Sequence, residues 1–144
     1  METMELYRGR LIDHVQLVVA DLDASWDFYA AILKVLSIEM HDEREKAKFF
    51  WADELAVSSQ DSEAAVGKLT GRVHLAFQAR DRAMVDAAYT AALSAGGKDN
   101  GKPGERPYHP GYYAGFILDL DGNNIEVVHH GEAKFSAPYV KVEF

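Results

Sequence analysis

A stretch of about twenty residues occurs twice in this chain, sixty positions apart, and this constrains the fold more than any other feature. His14-Val-Gln-Leu-Val-Val-Ala-Asp21 aligns without a gap over His74-Leu-Ala-Phe-Gln-Ala-Arg-Asp81, with histidine on histidine and aspartate on aspartate. Continuing in register, Tyr29 falls on Tyr89, Ala31 on Ala91 and Leu33 on Leu93. A repeat of this length is a supersecondary unit used twice, so the two halves should fold alike.

Each copy opens with an alternation of period two, the pattern of a strand with one buried face. Val15, Leu17 and Val19 carry it in the first copy, and Leu75, Phe77 and Ala79 in the second. Asp21 and Asp81 follow as helix N-caps, because a carboxylate there accepts from the free N–H groups of the first turn. Leu22, Trp26, Tyr29, Leu33 and Leu36 then repeat at helical spacing, as do Met84, Val85, Ala88, Tyr89, Ala92 and Leu93. Gly96-Gly97 stops the second helix. Short strand-like runs come next: Ile38 to Asp42, Ala47 to Ala52 and Leu55 to Ser59 in the first copy, Tyr112 to Leu120 and Asn124 to His129 in the second. The last two are joined by the turn Asp121-Gly122-Asn123.

The expected fold is α+β: two βαβββ repeats forming a curved mixed sheet with a concave cleft, where small ligands lodge. A ferredoxin-like domain shares the strand–helix rhythm, but it lacks the sixty-residue register and the paired histidines. We place a single domain at 1–144, a first module at 10–66, a second at 70–131 and a C-terminal tail strand at 132–144. Tyr139 to Phe144 alternates as a strand that covers a sheet edge or pairs with a partner subunit. Gly97 to Gly111, rich in glycine and proline, is expected to be a long loop.

The charge balance narrows the partners. With 23 acidic against 15 basic residues the net charge is -8, and no basic stripe is present to neutralise phosphates, so nucleic acid is not expected. The absence of cysteine excludes disulfides, thiolate zinc sites and a cysteine nucleophile. Met1 to Arg10 is polar and of mixed charge, and no run has the length of a signal core or a membrane span. A cytoplasmic location is expected by default. No glycine-rich turn links a strand to a helix, so no nucleotide, flavin or phosphate loop is expected.

His14 and His74 occupy equivalent places, and Glu126 follows the hairpin turn on the last strand of the second copy. Taken singly, a histidine at a strand start is a hydrogen-bonded rim residue and a glutamate after a turn is solvated. At repeat-matched positions, two imidazoles and a carboxylate instead form a candidate site for a divalent first-row metal, with positions open for a bidentate oxygen ligand. Iron, nickel, manganese and zinc all suit such donors. His129 and His130 point to opposite faces and cannot both serve one site; with His41 and His109 they are read as surface or loop residues.

The string from His109 through Asp119-Leu-Asp-Gly-Asn-Asn-Ile-Glu126-Val resembles the closing motif of the vicinal oxygen chelate superfamily, which includes glyoxalases, bleomycin-resistance proteins and extradiol dioxygenases. Asp13-His14-Val15 through Asp21, then Phe28-Tyr29, is similar to the first module of that family. The resemblance spans roughly residues 10 to 131. It implies metal ligands at His14, His74 and Glu126, with a fourth on the last strand of the first half. Ala56 stands at that fourth place and cannot ligate, while Glu54 lies two residues away on the same face. Glyoxalase I activity requires a proton-shuttling group there; a three-ligand His-His-Glu site instead resembles the extradiol dioxygenases. In the resembling proteins the segment Gly97 to Gly111 borders the cleft, which makes Arg106, Tyr108 and His109 candidate substrate contacts. By strand alternation one of Tyr112 and Tyr113 should face the cleft and supply a hydroxyl, and Tyr113 is taken as a further candidate contact. Homodimers are common among similar proteins. The leading expectation is a metal-dependent enzyme of lyase or dioxygenase type acting on an oxygen-chelating small molecule. The alternative is a metal-free binding protein of the bleomycin-resistance type.

Overall fold

The period-two runs become strands and the 3.6-residue runs become helices in the computed structural model of the chain, which describes residues 5–8, 11–63, 65, 67–137 and 139–143. Strand β1 is Glu5–Arg8 and β2 is Val15–Val19, followed by helix α1, Leu22–Val35. A short β3, His41–Asp42, and a one-turn α2, Arg44–Ala47, lead to β4, Phe49–Ala52, and β5, Leu55–Ser59. The second copy runs through β6, His74–Gln78; α3, Arg82–Ser94; β7, Lys98–Glu105; β8, Tyr113–Leu118; and β9, Asn124–His129. Strand β10 is Val140–Glu143.

Backbone hydrogen bonds sort these strands into two four-stranded mixed sheets of the same plan. The order is β2-β5-β4-β3 in one and β6-β9-β8-β7 in the other. In each, the first strand pairs parallel with the last-formed strand and the remaining pairs are antiparallel. The expected α+β architecture of two βαβββ repeats is therefore observed. A single ferredoxin-like βαββαβ sheet does not contain this plan.

The registers match as closely as the orders. Gln16, Ala56, Trp51 and His41 form one row across the first sheet. Ala76, Glu126, Phe116 and Gly101 form the equivalent row across the second.

The chain divides into two compact units. The first comprises Met1–Leu22, Glu39–Leu69 and Lys134–Phe144; the second comprises Asp23–Ile38 and Thr70–Ala133. Leu17, Val19, Phe50 and Val57 lie on one face of the first sheet and are fully or almost fully buried. In the second unit, Ile117, Ile125 and Val127 are fully buried on the face against which α3 packs. Helix α1 belongs to this second unit, and its buried positions are Ser25, Phe28, Tyr29, Ile32 and Leu33. Phe28 and Ile32 thus replace Leu22 and Trp26 on the expected stripe. Tyr29 donates to Asp119 at 2.6 Å. Asp81 caps α3 as expected, accepting from Met84 N at 2.7 Å.

Three expectations about elements are corrected. Gly97 to Gly111 is not a plain loop, because Lys98–Glu105 is a strand. It lies at the sheet edge and its register shifts twice, between Asp99 and Gly101 and again before Gly104. An edge with bulges accommodates glycine and Pro103, which would break an inner strand. The run Ile38 to Asp42 contributes only two strand residues. The run from Ala47 begins as a strand at Phe49, after α2 ends on left-handed Lys48. The tail strand pairs antiparallel with β1, a partner not anticipated in the polar N-terminus. Met1 to Met4, Gly9, Arg10, Ala64, Val66, Pro138 and Phe144, which fall in the expected N-terminal segment, first module and tail, lie outside the described residues.

Candidate functional site

The hairpin turn fixes what β9 presents on each face. Asp119 accepts from the backbone N of Asp121 and Asn123, and Gly122 takes a positive φ of 87°. Strand alternation from there sends Ile125 and Val127 to the α3 face and Glu126 to the other. Glu126 is only 3% exposed, so its carboxylate needs partners. His74 Nε2 lies 3.0 Å from one carboxylate oxygen, and the Tyr112 hydroxyl donates to the other. Burial, followed by this bond to Glu126, pushes the Tyr112 phenol up to about 12.

His74 Nδ1 lies 3.1 Å from the Asn124 carbonyl oxygen. Both ring nitrogens of His74 therefore face acceptors. A carbonyl oxygen only accepts, so a ring proton on Nδ1 suits that contact and turns Nε2 toward the carboxylate.

The neighbouring strand extends the site. Phe116 pairs directly with Glu126 and shares its face. The His74 ring lies 6.1 Å from the Phe116 ring at an interplanar angle of 23°, and Arg106 Cζ lies 5.4 Å from the Phe116 centroid. His74, Tyr112, Phe116, Arg106 and Glu126 thus form one cluster on one face of the second sheet. The role of Phe116 was missed in the sequence, although alternation from Glu126 across the hairpin could have found it.

In the first unit, His14 is exposed and its Nδ1 lies 2.6 Å from Asp13 Oδ1. Ala56 occupies the row position equivalent to Glu126, and Glu54 is exposed on the β4–β5 turn. Beside Ala56, Gln16 donates to Ser58 at 3.0 Å, and His41 stacks on Trp51 at 3.9 Å. Among the described residues, no group of three or more histidines and carboxylates is gathered as a metal cage.

The other candidates are distributed around the second unit. Tyr113 points toward α3, where its hydroxyl donates to Asp86 at 2.6 Å and Arg82 lies over its ring at 4.7 Å. Its neighbour Tyr112 is the tyrosine on the Glu126 face. Tyr108 is exposed and meets the Tyr112 ring edge-on at 4.9 Å. His109 Nε2 lies 2.9 Å from His130 Nδ1, at an open recess of about 840 Å³ that also reaches Arg82 and Glu132. His129 turns away from His130, its Nδ1 lying 3.1 Å from the Ala79 carbonyl.

Comparison with known proteins agrees with this fold. The family model described as Glyoxalase/Bleomycin resistance protein/Dioxygenase superfamily matches residues 11–127. The chain is similar to a glyoxalase/bleomycin resistance protein from Albidiferax ferrireducens T118, with 26% identity and a TM-score of 0.67 over 83% of this chain and 98% of that one. It shares its fold with a family enzyme from Burkholderia phytofirmans PsJN at 20% identity and TM-score 0.64, covering 82% and 97% of the two chains. A glyoxalase-related enzyme from Fulvimarina pelagi gives 20% identity and TM-score 0.64, covering 89% and 99%. No curated protein matches the chain by sequence.

Proposed function

Because the chain belongs to the Glyoxalase/Bleomycin resistance protein/Dioxygenase superfamily, we propose that it is a divalent-metal-dependent enzyme acting on a small oxygen-chelating molecule, with His14, His74 and Glu126 as the metal ligands. The observation that carries the reading is the His74–Glu126 pair. An imidazole nitrogen and a buried carboxylate oxygen face each other at 3.0 Å. Two donors bonded to one metal at about 2.0–2.2 Å lie roughly 3–3.5 Å apart, close to the separation of this pair. The carbonyl that holds His74 Nδ1 orients the ring so that Nε2 is the ligating nitrogen, as second-shell carbonyls do. An imidazole and a carboxylate are donors that suit iron, nickel, manganese or zinc.

Bound there, the metal would polarise a carbonyl or diolate oxygen of the substrate. Tyr112 holds the other oxygen of Glu126 and so sets the carboxylate's direction. Ala56 supplies neither a ligand nor a proton carrier. This favours dioxygenase-like chemistry, or a lyase step that does not pass a proton through that position. A cytoplasmic homodimer remains part of the same proposal, and size-exclusion chromatography tests the dimer.

Metal content measured on protein purified without chelator tests the reading, together with titration by iron, nickel, manganese and zinc. About one metal per chain is expected, lost in His74→Ala and Glu126→Ala. Failure to bind any of the four would leave the alternative, a metal-free binding protein. Half-buried Trp51 and Phe116, at equivalent rows of the two sheets, favour that second reading because they suit flat apolar ligands.

A further inference from the structure

Resting on the reading of His74 and Glu126 as the chelating end, we propose that the site takes a small planar carboxylate, with Arg106 holding its anionic end and Phe116 supporting its flat body. The row Glu126, Phe116, Gly101 crosses three adjacent strands. Strands lie about 4.8 Å apart, so the row runs roughly 10 Å from a carboxylate to bare backbone. The bare end is where the guanidinium lies. A Cβ at Gly101 would stand 3.1 Å from Phe116 Cδ2 and 3.4 Å from Arg106 Nη2, and its φ of 146° disfavours any side chain.

Arg106 is held but not neutralised. Nη2 donates to the Lys102 carbonyl at 2.7 Å and Nη1 to the Glu105 carbonyl at 3.2 Å. Arg44 and Arg82, by contrast, each pair with a carboxylate. Among the described residues Arg106 makes no ion pair, in a chain whose acidic residues outnumber its basic ones by 23 to 15. A guanidinium fixed by carbonyls keeps its full charge and further N–H donors, which suits a planar oxyanion. Phe116 lies between this fork and the His74 ring, and its half-buried face provides a stacking platform.

Calorimetric titration with two matched pairs of probes tests the inference: benzoate against benzyl alcohol, and 3,4-dihydroxybenzoate against catechol. Each is run on metal-loaded and chelator-treated protein. In both forms the carboxylate of each pair should bind at least about tenfold more tightly than its neutral partner. Arg106→Met should erase the difference, while Arg106→Lys, which keeps the charge but loses the fork, should retain part of it. Phe116→Leu should weaken both members alike and preserve their ratio. Circular dichroism verifies that each variant is folded. If metal leaves catechol affinity unchanged while the carboxylate preference persists, the chelating reading fails and the anion site stands. Equal binding within each pair, a preference that survives Arg106→Met, or no carboxylate binding at millimolar concentration overturns the inference.

Discussion

Removing the Tyr29 hydroxyl isolates the bond that ties α1 to the β8–β9 hairpin. Asp119 is 6% exposed and accepts from four donors: Tyr29 Oη at 2.6 Å, Asp121 N at 2.9 Å, Asn123 N at 2.8 Å and Asn123 Nδ2 at 2.9 Å. The network continues to the site, since Val73 N, one residue before His74, donates to Asn123 Oδ1 at 3.0 Å. A hydrogen bond to a charged group contributes about 1.5–3 kcal/mol. Three donors remain in Tyr29→Phe, so its cost belongs near the lower end, about 1.5–2 kcal/mol. For a chain of this size that corresponds to a drop in Tm of roughly 3–8 °C. Urea unfolding should show a lower midpoint with an unchanged slope. A cycle with Asp119→Asn should return a coupling of at least about 1 kcal/mol.

The pH dependence has a definite sign. Burial first, then Asp119, raises the Tyr29 phenol well above its ordinary value. Its contribution is therefore fully present below about pH 10 and is lost as the pH rises beyond it. The cost of Tyr29→Phe should stay flat from neutral pH up to that point. A cost below about 0.5 kcal/mol, or an additive cycle, would refute the reasoning.

The cluster makes other demands that can be measured. Glu126→Leu should leave stability within about 1 kcal/mol of the parent or raise it, because His74 and Tyr112 can turn to water, whereas Asp119→Leu should cost at least about 3 kcal/mol. Equal losses in denaturant melts would mean that Glu126 is a structural residue. Gly101→Val should destabilise by about 1–3 kcal/mol and abolish the carboxylate preference, as measured by urea melts and calorimetry. Hydrogen bonds from Arg44 pull the Asp42 carboxyl down to about 2. Its carbon-detected NMR titration should have a midpoint there and return to the ordinary range in Arg44→Met. The stabilisation from this lowered group is present above the ordinary carboxylate range and disappears as the pH falls toward that midpoint.

The duplicated plan was legible because it rests on local signals that repeat: alternation, an aspartate cap and helical spacing. The position of Glu126 was equally legible, since a turn residue and a period of two determine which face it takes. Strand β7 was not, because glycine and proline carry loop signals that a bulged edge strand overrides. The choice between Tyr112 and Tyr113 required the register of β8, which no local pattern provides. The unit that receives α1 was hidden for a related reason. Both helices look alike in sequence, and only the partners of Phe28 and Tyr29 distinguish them. Arg106 was read as a contact from its loop, whereas its place over Phe116 depends on Gly101 having no side chain.

The placement of α1 in the second unit bears on how a ribosome would deliver this chain. Tyr29 and Asp119 are 90 residues apart, and Phe28 lies near Gly97 and Ile117, whose neighbourhood is built much later in the chain. At about 5–20 residues per second, the apolar stripe of α1 emerges on the order of 5–20 s before its partners exist. During that interval Phe28 lacks the Gly97 and Ile117 neighbourhood that it meets in the folded chain. Chaperone capture during translation should accordingly concentrate on nascent chains that already expose α1 but have not yet reached the β8–β9 hairpin.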